Sequence, residues 1–269
     1  MTAIDTGTDD LLARREGRVL VLTMNRPAAR NALSIPMLDA LAEQLAKAEA
    51  DRDVGCIVLT GAEGAFCAGG DVKAMTVAGE DQTSPSWVPR QRHYQRATSG
   101  KLFEIPKPTI AAINGPAAGA GFSLAMACDL RTMASTTFIT TAFAKVGLSG
   151  DFGGTYFASQ LLGSAKAREL FYLSDRVTAE EALRIGLANW LYEPEQLLDA
   201  TLDVAKRLAS GPAIALGFMK ENLNRALTSP AGECLDIEAA LHISCTTTSD
   251  HREAAAAFVE KRTPVFGGR

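Results

Sequence analysis

The chain has 269 residues, 47% of them hydrophobic, and a formal net charge of -4, which suits one or two domains around a sizeable core. Its 27 Lys and Arg do not outnumber its 31 Asp and Glu, so neither a nucleic-acid-binding nor a disordered protein is indicated. Residues 1–10 are polar and acidic, unlike a secretory or transit peptide. Five cysteines without a CxxC spacing favour reduced thiols in a cytoplasm-like compartment.

In chain order, residues 11–15 and 18–24 are alternating apolar runs around Glu16-Gly17 and read as a hairpin. Asn25-Arg26-Pro27 ends the second strand, because proline cannot continue a ladder. Ser34 then caps a helix carrying Leu38, Leu41 and Leu45 on one face. Residues 55–60 are the next strand, closed by Gly61. They are followed by Gly64-Ala-Phe-Cys-Ala-Gly-Gly-Asp-Val72, a turn of small residues that leaves backbone exposed to a ligand. Residues 76–100 are polar, with Gly79, Pro85 and Pro89, and read as a loop, a candidate lid or a plain surface excursion, followed by a helix near residues 90–99.

Residues 108–128 contain no charge and are about long enough to cross a bilayer. Pro108, Asn114, Pro116 and the glycines favour instead a buried strand at 109–113, a turn at Asn114-Gly115-Pro116, and a helix from Phe122. A Gly/Ala-rich turn opening a helix presents free N–H groups at the positive end of the helix dipole, a site for an oxygen carrying negative charge. Residues 128–133 read as a further strand, so strand-then-helix units recur and suggest a coiled, repeat-like core. From Thr155 the pattern is nearly all helical. Thr178-Ala-Glu-Glu181 forms a capping box, Gly163, Gly186 and Gly211 stand where helices should stop, and Asp250-His-Arg-Glu253 is a variant box opening a last helix over 254–261. His93, His242 and His251 show no metal spacing, so no metal site is expected.

Four segments in order, with a fifth near the C-terminus, resemble the crotonase (enoyl-CoA hydratase/isomerase) superfamily. They are Asn25-Arg-Pro27 with Asn31-Ala-Leu33, Phe66-Cys-Ala-Gly-Gly-Asp71, Asn114-Gly-Pro-Ala-Ala-Gly-Ala-Gly121, Gly147-Leu-Ser-Gly-Asp-Phe-Gly-Gly154, and Ala257-Phe-Val-Glu-Lys-Arg262. The resemblance implies an α/β fold, a crotonase-like spiral of ββα units over residues 1–200, with a helical C-terminal region over 201–269 that makes homotrimers or hexamers. It also implies an acyl-CoA substrate that carries its own coenzyme A, so no separate cofactor is expected, and no nucleic-acid or membrane partner.

By the same resemblance, Ala68 and Ala120 supply the N–H groups of an oxyanion hole, and Arg26, Ala32, Gly70, Asp71, Val72, Phe258 and Lys261 contact coenzyme A. Asp71 serves the nucleotide end or caps a helix. Arg26 meets a phosphate or a local carboxylate, and Lys261 touches coenzyme A or is a solvated charge. The two glutamates of the family's hydratases are replaced by Ser123 and Phe143, which leaves Asp151 as the single acid/base, or else a turn residue. One carboxylate suffices to move a proton through an enolate, whereas adding water calls for a second group, so isomerisation is favoured over hydration. A silent CoA-binding protein is one alternative. A serine hydrolase built on Ser123 is another, and it lacks a convincingly placed histidine base.

Overall fold

A computed structural model describes residues 1–71 and 87–268 of the chain. Val72, and the part of the expected lid that falls at residues 76–86, lie outside these. The chain opens with β1 (Thr2–Ile4), β2 (Leu11–Glu16) and β3 (Val19–Met24), three antiparallel strands in which the Glu16-Gly17 hairpin pairs Leu11 with Met24. Helix α1 (Ile35–Ala50) follows, and the hydroxyl of Ser34 accepts the Met37 N–H at its start. From β3 the sheet grows by parallel neighbours: β4 (Cys56–Gly61), β5 (Thr109–Ile113), β7 (Leu130–Ala134) and β10 (Trp190–Tyr192). Between β4 and β5 lie α2 (Trp87–Gln95), a π-helical turn (Arg96–Gly100) and the single turn α3 (Lys101–Glu104).

Every residue of β4 and β5 is buried, which is why both read as unbroken apolar runs rather than alternating ones. One sheet face, with Leu22, Ile57, Leu59 and Ile113, packs on Leu41 and Leu45 of α1 and on Phe122. The other, with Val19, Val21, Cys56, Val58, Ile110 and Ala112, packs on Leu202, Ala205 and Ala209 of a helix contributed from much later in the chain, α7 (Leu197–Ala209). Burying both faces in this way turns a sheet into a three-layer core.

A second, smaller sheet joins β6 (Ala117–Ala118), β8 (Phe138–Thr140) and β9 (Val177–Thr178), with helix α4 (Ala120–Ala127) between β6 and β7. Helices α5 (Gly154–Leu173), α6 (Ala179–Arg184), α7 (Leu197–Ala209), α8 (Ala213–Ala226), α9 (Ala231–Thr246) and α10 (Ser249–Glu260) follow. Thr178 caps α6 by accepting the Glu181 N–H at 3.3 Å, whereas the Glu181 carboxylate turns away to Arg184. Gly163 interrupts α5 with φ 74°, and Gly186 turns at φ 86°.

The region after Thr155 is nearly all helical, as expected; β9 and β10, which pair with β8 and β7, are the exceptions, and strands of two and three residues are too short to show a period. Two expectations are corrected. The strand placed at 128–133 runs Leu130–Ala134. The last helix is capped by Thr248, which accepts the His251 N–H at 3.1 Å, so Asp250 lies inside the first turn and its carboxylate is used elsewhere. Residue 200 lies within α7, which packs on the sheet. Among the described residues, no helix is long and apolar enough to cross a membrane.

Candidate active site

The turn 64–71 and the turn 114–121 are pressed together along their backbones. Cys67 accepts the Ala118 N–H on its carbonyl at 2.9 Å, its own N–H reaches the Pro116 carbonyl at 3.2 Å, and it forms a parallel bridge with Ala117. A Cβ on Gly121 would overlap the Cys67 carbonyl, and one on Gly69 would stand 2.9 Å from the Ala118 oxygen and 3.2 Å from the Ala120 nitrogen. Small residues are therefore required here by contact as well as by conformation; Gly69 has φ 93° and Gly119 φ 53°. Asn31 and Asn114 fix the ends of these turns. Asn31 is fully buried, donates to the Ala62 and Ala65 carbonyls at 2.8 Å each, and accepts the Arg26 N–H at 2.9 Å. Asn114 bonds both the N–H and the carbonyl of Gly61.

The expected pair of N–H donors is corrected on one side. The Ala68 N–H is already spent on the Arg30 carbonyl at 3.0 Å, and Arg30 and Asn31, both left-handed at φ 51° and 57°, hold that carbonyl in place. Two residues on, Gly70 has no acceptor for its N–H among the described residues, and it lies one residue from Gly69, whose backbone faces Ala120. Ala120 is the first residue of α4, so its N–H has no partner within the helix. Among the described residues, the N–H groups of Gly70 and Ala120 are thus both without an acceptor at this junction. Spacing along the motif could not separate Ala68 from Gly70, since the choice depends on a carbonyl from residue 30.

The loop before α5 bears Asp151 between unusual backbone conformations: Gly150 at φ 120°, Phe152 at φ 46° and Gly153 at φ 76°. A left-handed Phe costs on the order of 1 kcal/mol, strain that marks a segment held for a purpose other than stability. The loop packs on α4, since a Cβ on Gly154 would overlap the Ser123 hydroxyl, and the Gly154 N–H returns to the Asp151 carbonyl at 3.0 Å. Asp151 is half-buried, and its Oδ1 is fully enclosed with no hydrogen-bond partner. Burial alone pushes its carboxyl up to about 6. Its charge in turn helps raise the Cys67 thiol, after burial itself, to about 12, which places the carboxylate within electrostatic reach of the two turns. Cys67 and Cys128 are buried and pack as small core residues.

At the positions of the missing glutamates, Ser123 is fully buried and donates to the Gly119 carbonyl at 3.2 Å. It sits inside α4 rather than on a strained elbow. Phe143 is buried, stacks parallel on Phe171 at 5.8 Å, and lies where a Cβ on Gly119 would touch its ring at 3.7 Å.

Arg26 is engaged by protein atoms. It donates to the Ala32 carbonyl at 2.8 Å and to Asp71 at 3.1 Å, with Asp10 at 3.6 Å, so it meets local carboxylates and closes the 26–33 segment onto the 64–71 turn. Gly70 pairs with Leu33 in the same closure. Phe258 and Lys261 are exposed on α10 and its cap, where the helix packs on α9 and near the start of α8, so within one chain they are not brought to the turns. Among the described residues, no group of three or more His, Cys, Asp or Glu is arranged to hold a metal.

With this geometry in hand, comparison with known proteins is specific. Residues 14–269 match the family described as enoyl-CoA hydratase/isomerase. The chain belongs to that family, the crotonase superfamily, and is an enzyme of it. It is 36% identical to the 1,2-epoxyphenylacetyl-CoA isomerase of Escherichia coli K12 over 262 residues, 96% of this chain and 98% of the relative. It is 32% identical to the short-chain-enoyl-CoA hydratase of Clostridium acetobutylicum, over 94% of this chain and 96% of that one. Among solved structures, a putative enoyl-CoA hydratase from Streptomyces coelicolor A3(2) superposes with a TM-score of 0.92 at 35% identity, covering 97% of this chain and 94% of that one. The fold is accordingly the crotonase α/β spiral with a helical C-terminal region.

Proposed function

We propose that the enzyme shifts the double bond of an enoyl-CoA thioester, with Asp151 as its single acid/base group and the N–H groups of Gly70 and Ala120 as its oxyanion hole. The observation that carries this reading is the Asp151 carboxyl, its Oδ1 enclosed and unpartnered and its proton affinity raised to about 6, on a loop packed against the helix that Ala120 opens. At neutral pH the carboxylate takes a proton from the carbon next to the thioester. The electron pair passes to the carbonyl oxygen, and the resulting carboxylic acid returns the proton to the γ-carbon. The two N–H groups donate to the oxygen as its charge grows, each contributing roughly 3 kcal/mol to the transition state. Ser123 and Phe143 offer no second carboxylate to orient a water, and the Phe143 ring is buried against Phe171 beside Gly119.

The substrate brings its own coenzyme A, so the reaction calls for no further cofactor. Buried, unpaired Cys56, Cys67 and Cys128 suit a reducing cytoplasm. Helix α9, which has no buried residue while exposing Leu235 and Ile243, supports assembly into homotrimers or hexamers through the C-terminal helices.

The test is Asp151→Asn. Turnover of a 3-enoyl-CoA should fall about 1,000-fold or more while coenzyme A affinity stays within about twofold. Deuterium placed on the substrate's α-carbon should appear at the product's γ-carbon, diluted by whatever fraction exchanges with solvent while Asp151 carries it. Incorporation of solvent oxygen would replace isomerisation by hydration, and tight coenzyme A binding without any turnover would leave a binding protein.

A further inference from the structure

After α10 the chain reverses at Lys261, which is left-handed at φ 56°, and returns along the helix it has just left. Two carboxylates one helical turn apart on α10 hold that returning strap. Glu253 grips Arg262 with both oxygens, at 2.5 and 2.9 Å, and accepts the Val265 N–H at 2.9 Å. Asp250, only 3% exposed, accepts the N–H groups of Gly267 at 2.8 Å and of Gly268 at 3.2 and 2.9 Å. A buried carboxylate collecting backbone N–H groups from a terminal Gly-Gly pair is costly unless it secures something. The pair brackets Lys261: Glu253 holds the residue after it, and Asp250 holds the far end of the strap.

We infer that Asp250 and Glu253 are positioning residues for coenzyme A binding, hooking the C-terminal strap back along α10 so that Lys261 and Phe258 are presented in one fixed pose. The inference rests on the reading that these two side chains contact coenzyme A, in whichever copy of the chain they reach. Without the hook, the αL reversal is free to unwind. Lys261 then has to be ordered each time a ligand binds, a cost that falls on affinity and not on the chemical step.

The experiment measures KM and kcat for a 3-enoyl-CoA and for the matching acyl-pantetheine, which lacks the nucleotide end, in Asp250→Asn, Glu253→Gln, a chain ending at Arg262, Lys261→Ala and Phe258→Ala. Removing the hook should raise KM for the CoA thioester about fivefold, the effect of roughly 1 kcal/mol, while leaving its kcat and both constants for the pantetheine thioester unchanged. If Lys261→Ala and Phe258→Ala raise KM but the three hook variants do not, the hook is overturned and the coenzyme A reading stands. If Lys261→Ala and Phe258→Ala leave KM unchanged, that reading falls and the role of the hook with it. Loss of kcat with both substrates in the hook variants would instead mark a general folding role and also overturn the inference.

Discussion

Helices α4 and α9 are both largely uncharged and apolar along their length, yet they occupy opposite environments. All eight residues of α4 are buried, and none of the sixteen of α9 is. In the first case the chain's own backbone supplies the packing partner. At Gly69 and Gly121 the two turns approach so closely that a Cβ would collide with the facing backbone, and that contact fixes the backbone carrying the Gly70 and Ala120 N–H groups. In the second case the chain supplies only the flanking helices α8 and α10, which leave every residue of α9 at least partly exposed. Apolar composition alone therefore does not decide whether a helix is buried within its own chain.

The largest effect expected on this contrast is at Gly121. Gly121→Ala drives a Cβ into the Cys67 carbonyl, and neither backbone can yield, so the variant should lose about 3 kcal/mol in denaturant unfolding along with most of its turnover. A midpoint close to that of the unmodified protein would show the junction to be softer than its geometry implies.

A second effect separates the two carboxylates that the two halves displace in opposite directions. Asp151 is raised to about 6 by burial, so its native form binds a proton more tightly than the unfolded chain does. That relationship makes the protein most favoured below about pH 4 on this account and progressively less so as pH rises through 6. Asp151→Asn should therefore be about 2 kcal/mol more stable than the unmodified protein at pH 8, after discount for partial exposure, and no more stable at pH 3. Glu253 is held down at about 2, chiefly by Arg262, so whatever it contributes is present above its ordinary range and lost only as pH falls toward 2. Thermal melts of Asp151→Asn and Glu253→Gln across pH 3–8 should diverge in these opposite senses. Activity should in parallel show an acidic limb near pH 6 that Asp151→Asn abolishes.

The smallest effect on the single chain belongs to α9. Leu235→Asp with Ile243→Asp should change the unfolding free energy of the isolated chain by less than about 0.5 kcal/mol, because neither side chain is buried by it, while sedimentation should show loss of assembly. An unchanged sedimentation coefficient would mean that α9 faces solvent in the working protein.

How far the chain could be read from its residues follows from the range of the forces involved. The Glu16-Gly17 hairpin, the Ser34 cap and the buried run of β5 are local, and each was legible because turn chemistry and periodicity act within a few residues. Strands β9 and β10 were not, because two or three residues form a strand only when a distant edge is waiting for them. The ordered motifs pointed to the right family and to Asp151 as the carboxylate to watch. By itself, though, the sequence could not show that Ala68 spends its N–H on Arg30, that Arg26 is already held by Asp71, or that Asp250 serves the tail instead of capping its helix. These are competitions among partners 17 to 45 residues apart, settled by which groups the folded chain brings within hydrogen-bond reach. The sequence therefore determined which segments carry chemistry, and tertiary structure decided which of their atoms are left free to perform it.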